Sequence, residues 1–67
     1  MPMKTRSKIR QAILNQHEPF CNKDIVLRLK NISKDEGLIL NVLDELYSEG
    51  LIDYTEQNNG KWCWIII

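Results

Sequence analysis

Residues 33–52 read Ser-Lys-Asp-Glu-Gly-Leu-Ile-Leu-Asn-Val-Leu-Asp-Glu-Leu-Tyr-Ser-Glu-Gly-Leu-Ile, and they decide the fold. Ser33 and Glu36 have capping-box spacing, in which the hydroxyl accepts from the third residue's N–H and the carboxylate reaches back to the cap N–H. Asp35 and Glu36 sit where the positive end of a helix dipole favours acids. Gly50 stands where a left-handed residue closes a helix. Between these signals Ile39, Val42, Leu43 and Leu46 recur at the helical period and form one apolar stripe. The far side of this predicted helix carries Lys34, Gly37, Asn41, Asp44, Glu45 and Ser48, flanked by Leu38 and Leu40.

Upstream lies a second, shorter helical pattern, from about Lys23 to Lys30, with Asn22 as its cap and Ile25, Val26 and Leu29 on its apolar face. Asn31 occupies the position just past its end, where Asn is the best substitute for Gly. Ile32 plugs the turn before Ser33 starts the next helix. Two helices joined by so short a turn make a helix-turn-helix. Before them, Pro19 in His-Glu-Pro-Phe-Cys (17–21) breaks the helical pattern and biases Glu18 to extended geometry. Phe20 then reads as an apolar anchor in a short strand. A first helix is expected from Thr5 or Ser7 to about Gln16, with Ile9, Ala12 and Ile13 on one face and Leu14 at its edge. Residues 1–4 read as a flexible arm and 5–67 as the domain. Lys4, Arg6, Lys8 and Arg10 crowd the helix's first turns and oppose its dipole by a few tenths of a kcal/mol each. That mismatch suggests that the bases serve an external anion, with solubility as the equal alternative.

Downstream of Gly50 the period changes from 3.6 to 2. Residues 51–56 and 61–67 read as strands around Asn59-Gly60, the strongest short hairpin signal. A two-residue loop there pairs Gln57 with Trp62, Thr55 with Trp64 and Tyr54 with Ile65. It puts Ile52, Tyr54, Cys63, Ile65 and Ile67 on one face and Trp62, Trp64 and Ile66 on the other. A strand apolar on both faces needs a neighbour on each side. Phe20-Cys21 is the available partner, and such pairing would bring Cys21 close to Cys63.

A 67-residue chain makes one small domain with little core in reserve. Its net charge is zero, but residues 1–34 hold eight bases and two acids, while residues 35–67 hold one base and seven acids. An imbalance of +6 against −6 suggests a cationic surface for an anionic partner, unless folding interleaves the halves. No apolar run is long enough for a membrane span and no secretion signal is evident, so a cytoplasmic setting with reduced thiols is expected. His17, Cys21 and Cys63 cannot complete a four-ligand zinc site alone. No nucleophile–base spacing or phosphate loop is present, so no enzyme, cofactor or small-molecule substrate is indicated. Asn31-Ile32-Ser33 matches a glycosylation sequon, but its residues already serve a turn and a cap.

With the order helix, strand, helix, helix, strand, strand in hand, the chain resembles the winged helix-turn-helix DNA-binding domains of small bacterial and phage regulators. The resemblance rests on Asn22-Lys23-Asp24-Ile25-Val26, Ile32-Ser33-Lys34-Asp35-Glu36, residues 42–52 and the Asn59-Gly60 wing. It implies an α+β winged helix with a three-helix bundle and a small antiparallel sheet, the third helix lying in a DNA major groove. Asn41, Ser48 and Lys34 would face bases or phosphates. Arg6, Lys8, Arg10, Arg28 and Lys30 would meet phosphates, with Asn58 and Lys61 on the wing. Asp44 and Glu45 are the awkward residues, since carboxylates are repelled by phosphates. Some members bind left-handed DNA through an Asn–Tyr pair on this helix; Leu40 and Asp44 occupy those positions, which argues against that activity. The resulting expectation is a small dimeric transcription regulator binding double-stranded DNA. The alternative is a protein-docking module using an apolar patch of Leu38, Leu40, Trp62, Trp64 and Ile66, with at least one of the two Trp residues expected to cover the core instead; a homodimer through the last strand would hide Ile65–Ile67.

Overall fold

The structure, a computed structural model, describes residues 3–57 and 60–67. Three helices precede a two-stranded antiparallel sheet, giving an α+β fold: α1 (Met3–Leu14), α2 (Asn22–Arg28), α3 (Glu36–Ser48), β1 (Ile52–Glu56) and β2 (Trp62–Ile66). The strand order differs from the expected one. The short strand between the first two helices is reduced to one bridge, Phe20 opposite Trp64, so the ordered sheet has two strands rather than three.

The helix ends obey local chemistry, though not always through the anticipated residue. α3 is capped by Asp35, whose Oδ1 accepts from the Leu38 N–H at 3.1 Å. The Ser33 hydroxyl instead accepts from the Asp35 N–H and props the cap, so the Ser33–Glu36 box does not form. A carboxylate two residues closer to the exposed N–H groups is the stronger acceptor. α2 begins one residue earlier than expected: the Cys21 N–H donates to Asp24 Oδ2, and Asn22 is released from capping. Asn31 is not left-handed; no non-glycine among the described residues is. The turn closes through the Ile32 and Ser33 N–H groups, both donating to Leu29 O. At the end of α3 the prediction holds. Gly50, at φ 78°, donates to Tyr47 O while Leu51 donates to Leu46 O, the paired bonds of a Schellman motif. α1 begins at Met3, earlier than Thr5.

The hairpin is offset by one residue from the expected pairing. Ile52 lies opposite Ile66, Tyr54 opposite Trp64 and Glu56 opposite Trp62. The loop is one residue longer than expected. Gln57 and Lys61 close it, leaving three residues between them, and Gly60 at φ 78° donates to Gln57 O. A left-handed glycine at the third position supports a three-residue loop as readily as Asn-Gly supports a two-residue one. A slip of one exchanges the faces. Ile52, Tyr54, Trp62, Trp64 and Ile66 now share one side, with Cys63 and Ile65 on the other.

The apolar stripes meet in one core of Ile9 and Ile13 from α1, Phe20, Ile25, Leu29, the α3 residues Ile39, Val42, Leu43 and Leu46, and Ile52 and Trp64 from the hairpin. Each fully buried aliphatic or aromatic side chain contributes about 1.5–3 kcal/mol. Leu38, Leu40 and Ile66 pack against the rim of this core and are half-buried.

Candidate nucleic-acid interface

The apolar stripe of α3 faces inward, so its remaining sides define what the molecule presents. Asn41, Asp44 and Ser48 are exposed on the outward side, with Gly37 one turn earlier. Lys30 and Lys34, on either side of the turn between α2 and α3, are exposed as well. On the flank toward α1, Asn41, Glu45 and Glu49 follow one another at four-residue spacing and meet two arginines from α1. Arg6 binds Glu45 and donates to Asn41 Oδ1 at 3.1 Å. Arg10 donates to Glu45 Oε1 at 2.9 Å and grips Glu49 with both terminal nitrogens, each at 2.9 Å. The Arg10 bond holds the Glu49 carboxyl below the usual range, and the same bond raises the Arg10 guanidinium above its own.

These pairs revise the reading of the first turns of α1. The anion that offsets their crowded bases is inside the molecule: it is the acidic flank of α3. Arg6 and Arg10, both anticipated as phosphate contacts, are engaged by carboxylates. In exchange, Glu45 on α3 and Glu49 at its end are neutralised, and among the described residues Asp44 is the carboxylate left without an ion pair on the outward side. Lys8 is exposed, and Arg28 is exposed while donating to Gln16 Oε1 at 2.7 Å. Lys61 is exposed beside the loop, and Asn58 lies outside the described residues.

The residues expected to form an apolar patch are divided. Trp64 is 7% exposed and belongs to the core; its indole N–H donates to Asn22 Oδ1 at 2.6 Å. Burying an indole requires such a partner, and this is the role of Asn22 that its sequence position disguised as a cap. Trp62 is 62% exposed. Between them runs an aromatic series that sequence spacing did not reveal, because it joins α3 to both strands. Tyr54 stacks on Trp64 at 4.2 Å, Tyr47 lies 5.0 Å from Tyr54, and Trp62 meets the Tyr54 ring edge-on at 6.5 Å. Register accounts for it, since the one-residue offset brings Tyr54 opposite Trp64.

Among the described residues no group of three or more His, Cys, Asp or Glu side chains could hold a metal ion. No helix among them is long and apolar enough to cross a membrane. No family model matches the chain, and neither a curated protein nor a solved structure matches it significantly.

Proposed function

We propose that this chain is a winged-helix domain that binds duplex DNA and acts as a small transcriptional regulator. The observation that carries this reading is the outward side of α3. It presents Asn41, Asp44 and Ser48 beside exposed Lys30 and Lys34, while Glu45 and Glu49 are neutralised by Arg6 and Arg10. Short polar side chains on a helix flanked by lysines suit base edges and phosphates. The pairing also removes most of the repulsion that Glu45 would otherwise impose on a phosphate backbone. Fluorescence anisotropy with a labelled random-sequence duplex at two salt concentrations tests the proposal. Binding should weaken as salt rises, and Lys34→Ala should reduce the slope of log K against log salt by about one. Absence of binding at low salt, or a slope unchanged in Lys34→Ala, contradicts it.

A second reading rests on a different observation. Tyr47, Tyr54 and Trp62 are exposed on one continuous aromatic edge, and exposed aromatics anchor protein partners. In that case the chain would form a defined oligomer or heterocomplex, visible by sedimentation, and Trp62→Ala would dissolve it without altering anisotropy.

A further inference from the structure

The bridge beside β2 brings together two thiols that the DNA reading does not use. Phe20 and Trp64 exchange both backbone hydrogen bonds, at 3.1 and 2.8 Å. The next opposed pair in this antiparallel arrangement, Cys21 and Cys63, is therefore a non-hydrogen-bonded pair. At such positions Cα atoms approach to about 4.5 Å and the side chains lie closest. That spacing is within the range a disulfide spans. The two Sγ atoms are 2.7 Å apart, against about 2.05 Å in an S–S bond. Both thiols are free.

We propose that Cys21 and Cys63 are a dithiol–disulfide couple, a modification site at which a small-molecule disulfide closes a covalent bond between the cap of α2 and β2. Cys21 is half-buried and Cys63 buried. Both line a surface cleft of about 330 Å³, walled by Tyr54, Trp62 and Lys23, through which a reagent reaches Cys21. The Cys21 thiolate attacks one sulfur of the reagent, RSSR, and expels RS⁻, leaving a mixed disulfide on Cys21. Cys63 then gives up its proton, attacks Cys21 Sγ and expels the second RS⁻. The net change is two cysteine thiols plus RSSR to one protein disulfide plus two RSH, with two electrons passing to the reagent. Cys63, the more deeply buried of the two, suits the second, resolving step.

The bond would close the chain from residue 21 to residue 63, around α2, α3 and β1. Whatever the fold contributes to closing the bond, the bond returns to the fold. The experiment uses the whole chain equilibrated with glutathione and glutathione disulfide at fixed ratio, native and in urea, then trapped by alkylation and weighed. The native chain should become a monomer lighter by two hydrogens and closed to alkylation, with a peptide linking Cys21 to Cys63. Its equilibrium constant for oxidation should exceed that of the unfolded chain at least about tenfold, and its Tm should rise by about 10 °C or more. Cys63→Ser should stop at a single glutathione adduct on Cys21; the wild-type comparison stands even if that variant does not fold. Disulfides only between chains, adducts that never resolve in the wild type, or equal constants in the folded and unfolded states would overturn the proposal.

Discussion

Single residues set the ends of the elements, and their effects differ in sign. Gly50 is left-handed and a Cβ there would meet nothing within 4 Å, so Gly50→Ala incurs backbone strain alone. It should destabilise by about 1 kcal/mol. Gly37, in the first turn of α3, has ordinary helical geometry, and its Cβ would sit 3.4 Å from Asp35 Oδ1, an ordinary contact. Gly37→Ala should stabilise by up to about 1 kcal/mol through helix propensity. Urea unfolding of both variants checks the opposed signs. The cap of α3 makes a second residue-scale test. Asp35→Ala should cost about 1 kcal/mol and Ser33→Ala clearly less, because only Asp35 accepts directly from an N–H inside the helix. A larger loss in Ser33→Ala than in Asp35→Ala would mean that Ser33 is the true cap. Gly50 was legible in the sequence because one residue type suits its conformation. The choice between Ser33 and Asp35 was not, because both are good caps two residues apart.

At the scale of elements, the α1–α3 seam joins the two oppositely charged halves of the chain. Glu49 carries the clearest consequence for pH. Its carboxyl is held low by Arg10, so the ionised form is favoured by folding. The contribution is fully present above the ordinary glutamate value of about 4.3 and is lost as pH falls through the lower folded value. The pair is exposed and screened, so the effect is modest. Glu49→Gln should lower Tm slightly at pH 7 and much less at pH 3, as measured by circular dichroism melts. An equal Tm difference at both values would show that the Arg10 bond does not govern the titration. The helices themselves were readable from the periodicity of Ile9, Ile13, Ile39, Val42 and Leu46, because a stripe needs only one chain segment to define it. The hairpin offset was not. Gly60 serves either loop length, so local spacing does not choose between them, and the observed register is the one in which Trp64 meets Asn22 and the Phe20 bridge, contacts distant in sequence.

Across the whole molecule, the zero net charge conceals an internal exchange. Arg6 and Arg10 neutralise the acidic flank of α3, while Lys30 and Lys34 stay exposed beside its outward side. The strong segregation of charge in the sequence was visible; how much of it folding would cancel was not, since the arginines and glutamates lie 35–39 residues apart. On the duplex reading, what remains for DNA is a short polar helix face with lysines near its start. Amide chemical-shift mapping of the labelled chain during titration with duplex DNA tests that most directly. Perturbations are expected at Lys30, Lys34, Asn41, Asp44 and Ser48, including the Asn41 side-chain amide, and they should shrink as salt is added. Perturbations confined to Tyr54, Trp62 and their neighbours, or none at low salt, would contradict it.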